Sequence, residues 1–137
     1  MLSNMHHLNS NLHIWIQSGT AGKKQYIDIC KIYEHFGDSI CKALAGFHAL
    51  TGCDYNPCFH RKGKKRPFNI MKSFEQYKEA FYALGDIDFD EETVFEILET
   101  YICHIYGTGI TKRILQRKVN DIRLTIFNRR YKLKDVN

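Results

Sequence analysis

Phe47-His-Ala-Leu-Thr-Gly-Cys-Asp-Tyr-Asn-Pro-Cys-Phe-His-Arg-Lys-Gly-Lys-Lys-Arg66 is the stretch on which the reading of this chain turns. An apolar run leads to Gly52, and the turn behind it presents one carboxylate, Asp54, beside Tyr55. Asn56-Pro57 forbids a continuing helix, because the residue before a proline is pushed out of the helical region. Five cations then fall within six residues: Arg61, Lys62, Lys64, Lys65 and Arg66, with Gly63 among them. A carboxylate beside a dense basic loop suits a site that handles phosphates through a divalent metal. The carboxylate would hold the ion, and the cations and backbone amides would hold the polyanion. The competing reading is local: an Asp that closes a helix, and a solvated loop or nuclear-localisation run.

Outward from this stretch, the pattern is mostly helical. Upstream, Leu12-His-Ile-Trp-Ile-Gln17 alternates, with Leu12, Ile14 and Ile16 on one face, which predicts a strand. Ser18–Lys24 reads as a turn with a basic tip, and Tyr26 and Ile27 as a brief second strand. Asp28 is placed to cap a helix that runs to Phe36 and stops at Gly37. Asp38 or Ser39 caps the next helix, where Ile40, Leu44 and Phe47 share a face and Gly52 is the end. Met1–Asn11, polar and without a period, reads as a loose lead-in and a cut edge rather than a true start.

Downstream, Pro67 is suited to start a short helix over Phe68–Lys72, where its missing N–H is not needed. Ser73-x-x-Gln76 reads as a capping box, with Phe74, Tyr77, Phe81 and Leu84 at helical spacing behind it and Gly85 closing the helix. Asp86 to Glu99 holds seven acids and no Lys or Arg. Asp86-x-Asp88-x-Asp90 has the alternating oxygens of a calcium loop, but Glu91 and Ile97 stand where that loop needs its glycine and its glutamate. Acids massed before a helix favour its positive end instead. The helix then runs to about Ile105, with Val94, Leu98, Tyr101 and Ile105 as its buried stripe. Gly107-Thr-Gly109 breaks it. A last helix places Leu115, Val119, Ile122 and Ile126 inward, with Arg113, Arg117, Lys118 and Arg123 outward, before the basic tail Arg129–Lys134.

The chain of 137 residues carries a formal net charge of +5 and a pI near 8.9, which is permissive for an anionic partner. No run of about 18 apolar residues predicts a membrane span, and no secretory signal is visible. Five cysteines at irregular spacing suit a reducing nucleus or cytoplasm better than a disulfide framework. Cys53, Cys58 and His60, with Cys30, Cys41, Cys103 and His104, hold the donor types of a zinc site. The paired short spacings such sites use are absent. Phe47, Phe74, Phe81 and Tyr101 fall on apolar helical faces and read as core. Tyr55 and Phe59, flanking Asp54 and the basic turn, are the aromatics placed to stack on a nucleic acid.

Gly52-Cys53-Asp54-Tyr55 resembles the Gly-Cys/Ser-Asp-Tyr signature of the flap-endonuclease-like, structure-specific 5′-nucleases, a branch of the PIN-like superfamily. The order of elements from Ile14 to Leu84 is similar too. His48-Ala-Leu-Thr-Gly-Cys-Asp54 followed by Gly63-Lys-Lys65 also looks like transposon-associated reading frames that carry this region. The resemblance implies edge strands of a PIN-like sheet followed by about six helices, an α/β class that is mostly helical. It divides the chain into a partial nuclease region over 1–85 and a helical extension over 86–137. It implies a magnesium-dependent hydrolase in which Asp54 is a metal-binding, catalytic carboxylate. It also implies that the turn Arg61, Lys62, Gly63, Lys64, Lys65 and Arg66 grips the backbone of DNA or another nucleic acid, beside Tyr55 as the stacking residue of the same site.

The family draws its other carboxylates from upstream, and Met1–Ile27 holds no Asp or Glu. The expectation is therefore a degenerate or truncated nuclease-like domain that binds nucleic acid with little cleavage. The alternative, from another class, is a protein–protein interaction module in which the acidic helix and the basic tail dock partners.

Overall fold

The structure, a computed structural model, describes residues 1–9, 11–107 and 118–130, with side chains to residue 128. Among these the protein is mostly helical, with one small antiparallel sheet. A 3-10 helix over Leu2–His7 precedes two strands, β1 (Trp15–Ser18) and β2 (Gln25–Asp28). Six α-helices follow: α1 (Ile29–Phe36), α2 (Asp38–Thr51), α3 (Lys65–Ser73), α4 (Glu75–Ala83), α5 (Glu91–Tyr106) and α6 (Val119–Arg130). No helix among the described residues is long and apolar enough to cross a membrane.

The amino-terminal residues are not the loose lead-in that their composition predicts. The 3-10 helix packs on α2, and Leu2 and Met5, three residues apart and so on one edge of such a helix, are both half-buried. The strand is shorter than its alternating pattern predicts, beginning at Trp15 instead of Leu12. Trp15 pairs with Asp28 and Ile16 with Ile27. No residue of β1 is buried, and the sheet has only these two strands among the described residues.

Local signals set several helix ends as expected. The Asp28 carboxylate accepts from Lys31 N–H at 3.1 Å and caps α1. Asp90 caps α5, accepting from Thr93 N–H at 3.4 Å and from the Thr93 hydroxyl at 2.6 Å, so the acidic stretch works at a helix start. Two caps form differently. Asp38 lies inside α2 behind Gly37, where it accepts from the Tyr33 hydroxyl and pairs with Lys42, both at 2.6 Å. The Ser73-x-x-Gln76 box does not form. Ser73 ends α3, and its hydroxyl donates back to the Asn69 carbonyl at 2.8 Å.

One apolar core joins α2, α3, α4 and α5: Ala43, Phe47, Met71, Tyr77, Ala80, Phe81, Val94, Leu98, Tyr101 and Ile105. The expected division at residue 85 falls between α4 and α5, and side chains from both helices enter this core. Aromatic rings run through it edge to face, from Phe36 through Phe68, Phe47, Phe81 and Tyr101 to Tyr77, with centroids 4.9–5.8 Å apart. That geometry sets the positive ring edge against a negative face. At Gly46, α2 approaches α4 so closely that a Cβ would lie 2.2 Å from the Phe81 carbonyl oxygen. Ile122 of α6, with Val119 and Ile126 packed alongside, covers Cys103 of α5 as their spacing predicts. Arg113, Leu115, Arg117, the Gly107–Gly109 break beyond Gly107, residues 131–134 of the basic tail and the side chains of Arg129 and Arg130 lie outside the described residues.

Candidate nucleic-acid interface

α2 stops where its sequence says it must. Gly52 takes φ 105°, and a Cβ there would stand 2.6 Å from Cys58 Cα, so the loop returns against a position that only glycine fits. The Asn56 side-chain amide donates to the Ala49 carbonyl at 3.3 Å, and Cys53 N–H donates to the Asn56 carbonyl at 3.1 Å. The Gly-Cys-Asp-Tyr element is thus a turn folded back on the last turn of α2. Asp54 and Tyr55 are at its tip, both exposed, with Tyr55 at 96 %.

Phe59, expected as a stacking platform, is an anchor instead. It is half-buried and meets the Tyr106 ring edge to face at 6.0 Å. Phe59–Lys62 then forms a tight turn, closed by Lys62 N–H to the Phe59 carbonyl at 3.0 Å. Arg61 inside it has φ 56°, the one positive value on a non-glycine residue among those described. Gly63 needs no such freedom, and a Cβ there would meet open space. The left-handed position of the basic turn is therefore at Arg61, and strain there costs about 1–3 kcal/mol.

The cations are distributed rather than massed. Lys62 Nζ lies over the Tyr106 ring, 5.4 Å from its centre. Lys64 Nζ donates to His48 Nδ1 at 2.6 Å, tying the loop to α2; an ammonium only donates, so the imidazole nitrogen accepts. Lys65 and Arg66 are not in the loop. They form the first turn of α3, which starts two residues before Pro67 and buries that proline in the same turn. A guanidinium nitrogen of Arg66 donates to the His104 carbonyl at 3.3 Å. Arg61, Lys64, Lys65 and Arg66 remain exposed.

Gly63, Lys65, Arg66, Asn69, Ile70, Ser73 and Phe74 line an open groove of about 640 Å³ along one face of α3. Three of the residues named from sequence lie in this groove: Gly63, Lys65 and Arg66. Asp54 and Tyr55 are not among its lining. Asn69, Ser73 and Phe74 were not anticipated there. The i, i+4 spacing of Lys65, Asn69 and Ser73 marks the face only once the helix is known to start at Lys65. Phe74, assigned to the core by its helical spacing, is 42 % exposed, because it occupies the single residue between α3 and α4. Tyr77 and His104 pack against it at ring distances of 5.3 and 5.4 Å. The Tyr77 hydroxyl and His104 Nδ1 share a hydrogen bond of 2.8 Å. Burial holds the His104 imidazole below its ordinary pKa and pushes the Tyr77 and Tyr106 hydroxyls up.

Metal-dependent phosphodiester hydrolysis needs several converging carboxylates. Among the described residues no three His, Cys, Asp or Glu side chains come together as a group that could hold a metal ion. The donors around Asp54 do not fit a two-ion centre, and Cys53, Cys58 and His60 do not form a zinc group. Compared with known proteins, the chain matches no family model, no curated protein and no solved structure.

Proposed function

We propose that this chain binds the backbone of nucleic acid through the turn Arg61–Arg66, as the gripping part of a nuclease-like domain of the flap-endonuclease kind. The observation that carries this reading is the arrangement of five cations over the Phe59–Lys62 turn and the start of α3 that follows it. Two are oriented by His48 and Tyr106, and two are set on the exposed first turn of α3. Phosphate contact of this sort positions a nucleic acid without reading its sequence. Asp54, exposed at the neighbouring turn, would contribute to magnesium binding only with carboxylates supplied by another segment or chain.

The test is a salt titration with two duplexes of unrelated sequence. About three phosphates met by this turn give a slope of log affinity against log salt of roughly −3 for both. Affinity without salt dependence sinks the proposal.

A second reading, docking to a protein, has one observation in its favour. Ile87 is 98 % exposed and Phe95 53 % exposed, amid Asp86, Asp88, Glu91, Glu92 and Glu96. Two exposed apolar residues in an acidic stretch of chain suit a basic protein partner. Saturable capture of such a partner, lost on Ile87→Asp, would favour it.

A further inference from the structure

We propose that Phe74 and the exposed face of α3 form a subsite for an unpaired nucleotide of a single-stranded nucleic acid. The base stacks on the Phe74 ring, and the flanking phosphate is met by Lys65 and Arg66. This rests on the nucleic-acid reading above and adds to it the strand state of the ligand.

Phe74 differs from the other aromatic residues of its surroundings. Phe47, Phe81, Tyr77 and Tyr101 are at most 5 % exposed, while Phe74 is at 42 %. It is not loose, however. It sits at a one-residue junction between two helices, and the Tyr77 and His104 rings pack against it at tilted angles. A part-exposed ring held by two neighbouring rings is a pre-formed stacking surface, since little side-chain freedom is lost when a base lands on it.

The cation further along the groove is held by a residue that also packs on the ring. The His104 carbonyl receives the Arg66 guanidinium at 3.3 Å, and the His104 ring packs against Phe74 at 5.4 Å. A guanidinium has five N–H donors, so further donors remain for a phosphate. From Arg66 to the end of α3 at Ser73 is seven residues, about 10 Å at 1.5 Å per residue, and Phe74 follows directly, a span suited to a base with a neighbouring phosphate.

The groove lining holds no carboxylate. The nearest acid along the chain, Glu75, is engaged by Lys78 and by the Ser39 hydroxyl at 2.6 Å. A polyanion with an accessible aromatic face fits this combination better than an apolar or acidic peptide. A duplex does not offer such a face, because its bases are stacked on one another. A single strand does.

The test measures fluorescence anisotropy with three end-labelled probes: an oligothymidylate, the same oligomer carrying abasic sites, and a duplex of equal length. Phe74→Ala should weaken oligothymidylate binding by roughly five- to a hundredfold and change the other two by less than about twofold. Phe74→Trp should retain affinity. In a Trp15→Phe background its fluorescence should be quenched by oligothymidylate and not by duplex, which also decides the matter if the alanine variant fails to fold. Equal losses on all three probes, no loss on any, or an unquenched tryptophan overturns the subsite and leaves the basic turn standing. A wild-type chain that binds none of the probes at low salt overturns the nucleic-acid reading itself, and the subsite with it.

Discussion

The Tyr101 hydroxyl, on a side chain with no exposed surface, donates to the Pro67 carbonyl oxygen at 3.0 Å. This bond links the middle of α5 to the first turn of α3, where Lys65 and Arg66 begin the candidate interface. The core and the basic helix are therefore one mechanical unit.

Tyr101→Phe removes that bond while keeping the ring contacts with Tyr77 and Phe81. Stability should fall by about 0.5–1.5 kcal/mol, read from denaturant melts at neutral pH. Burial pushes the Tyr101 hydroxyl far above its ordinary pKa and raises Tyr77 as well. The folded state thus keeps protons that the unfolded state releases. The resulting stability is fully present below the unfolded value of about 10 and is lost as pH rises toward the folded value. Wild-type protein should destabilise steeply above about pH 10, and Tyr101→Phe less steeply. Parallel alkaline slopes would show that Tyr101 is not the group responsible.

Gly46→Ala ought to destabilise despite a gain in helix propensity of about 1 kcal/mol. The added Cβ would stand 2.2 Å from the backbone oxygen of Phe81, and a backbone atom cannot swing aside as a side chain can. α2 and α4 must part, for a net loss of about 1–3 kcal/mol. An unchanged melting temperature would refute the close approach.

Gly52→Ala tests the turn that carries Asp54. Its φ of 105° and the 2.6 Å approach to Cys58 Cα both oppose a side chain. A loss of about 1–3 kcal/mol is expected, with nucleic-acid affinity reduced because the loop behind it shifts. Gly63→Ala, facing open space, should leave stability within about 0.5 kcal/mol.

Changing Lys62, Lys64 and Lys65 together to Ala should weaken binding by similar factors on unrelated duplexes. It should flatten the salt slope by roughly two to three units. Loss confined to one sequence would point to base readout, and retention of the full slope would place the contact elsewhere.

Incubation of this 137-residue chain with magnesium or manganese should give little cleavage of flap, nicked or single-stranded DNA. Asp54→Ala should leave that level unchanged, since a single carboxylate does not assemble a two-ion centre. Robust cleavage abolished by Asp54→Ala would reveal a ligand set that the described residues do not bring together.

Signals that act over a few residues were legible in the sequence. Asp28 and Asp90 cap their helices, Gly37 and Gly52 end theirs, and the period of Val94, Leu98, Tyr101 and Ile105 marks the buried face of α5. The turn that exposes Asp54 follows from Gly52 and Asn56-Pro57 alone. Each of these depends on backbone geometry or a near neighbour in the chain, so the residues themselves suffice. Tertiary packing decided the rest. Phe74 has the helical spacing of a core residue, but the close α3–α4 junction turns it to the surface. Leu12, Ile14 and Ile16 alternate like a half-buried strand, but only Ile14 is partly covered and Leu12 and Ile16 stay exposed. Lys62 and Lys64 read as free charges until α5 brings Tyr106 and α2 brings His48 alongside, 44 and 16 residues away in sequence. Gly46 sits unremarked in an apolar run until Phe81 of another helix closes on it. Burial and partnership belong to pairs of elements, and periodicity within one element states which face is apolar without stating what will meet it.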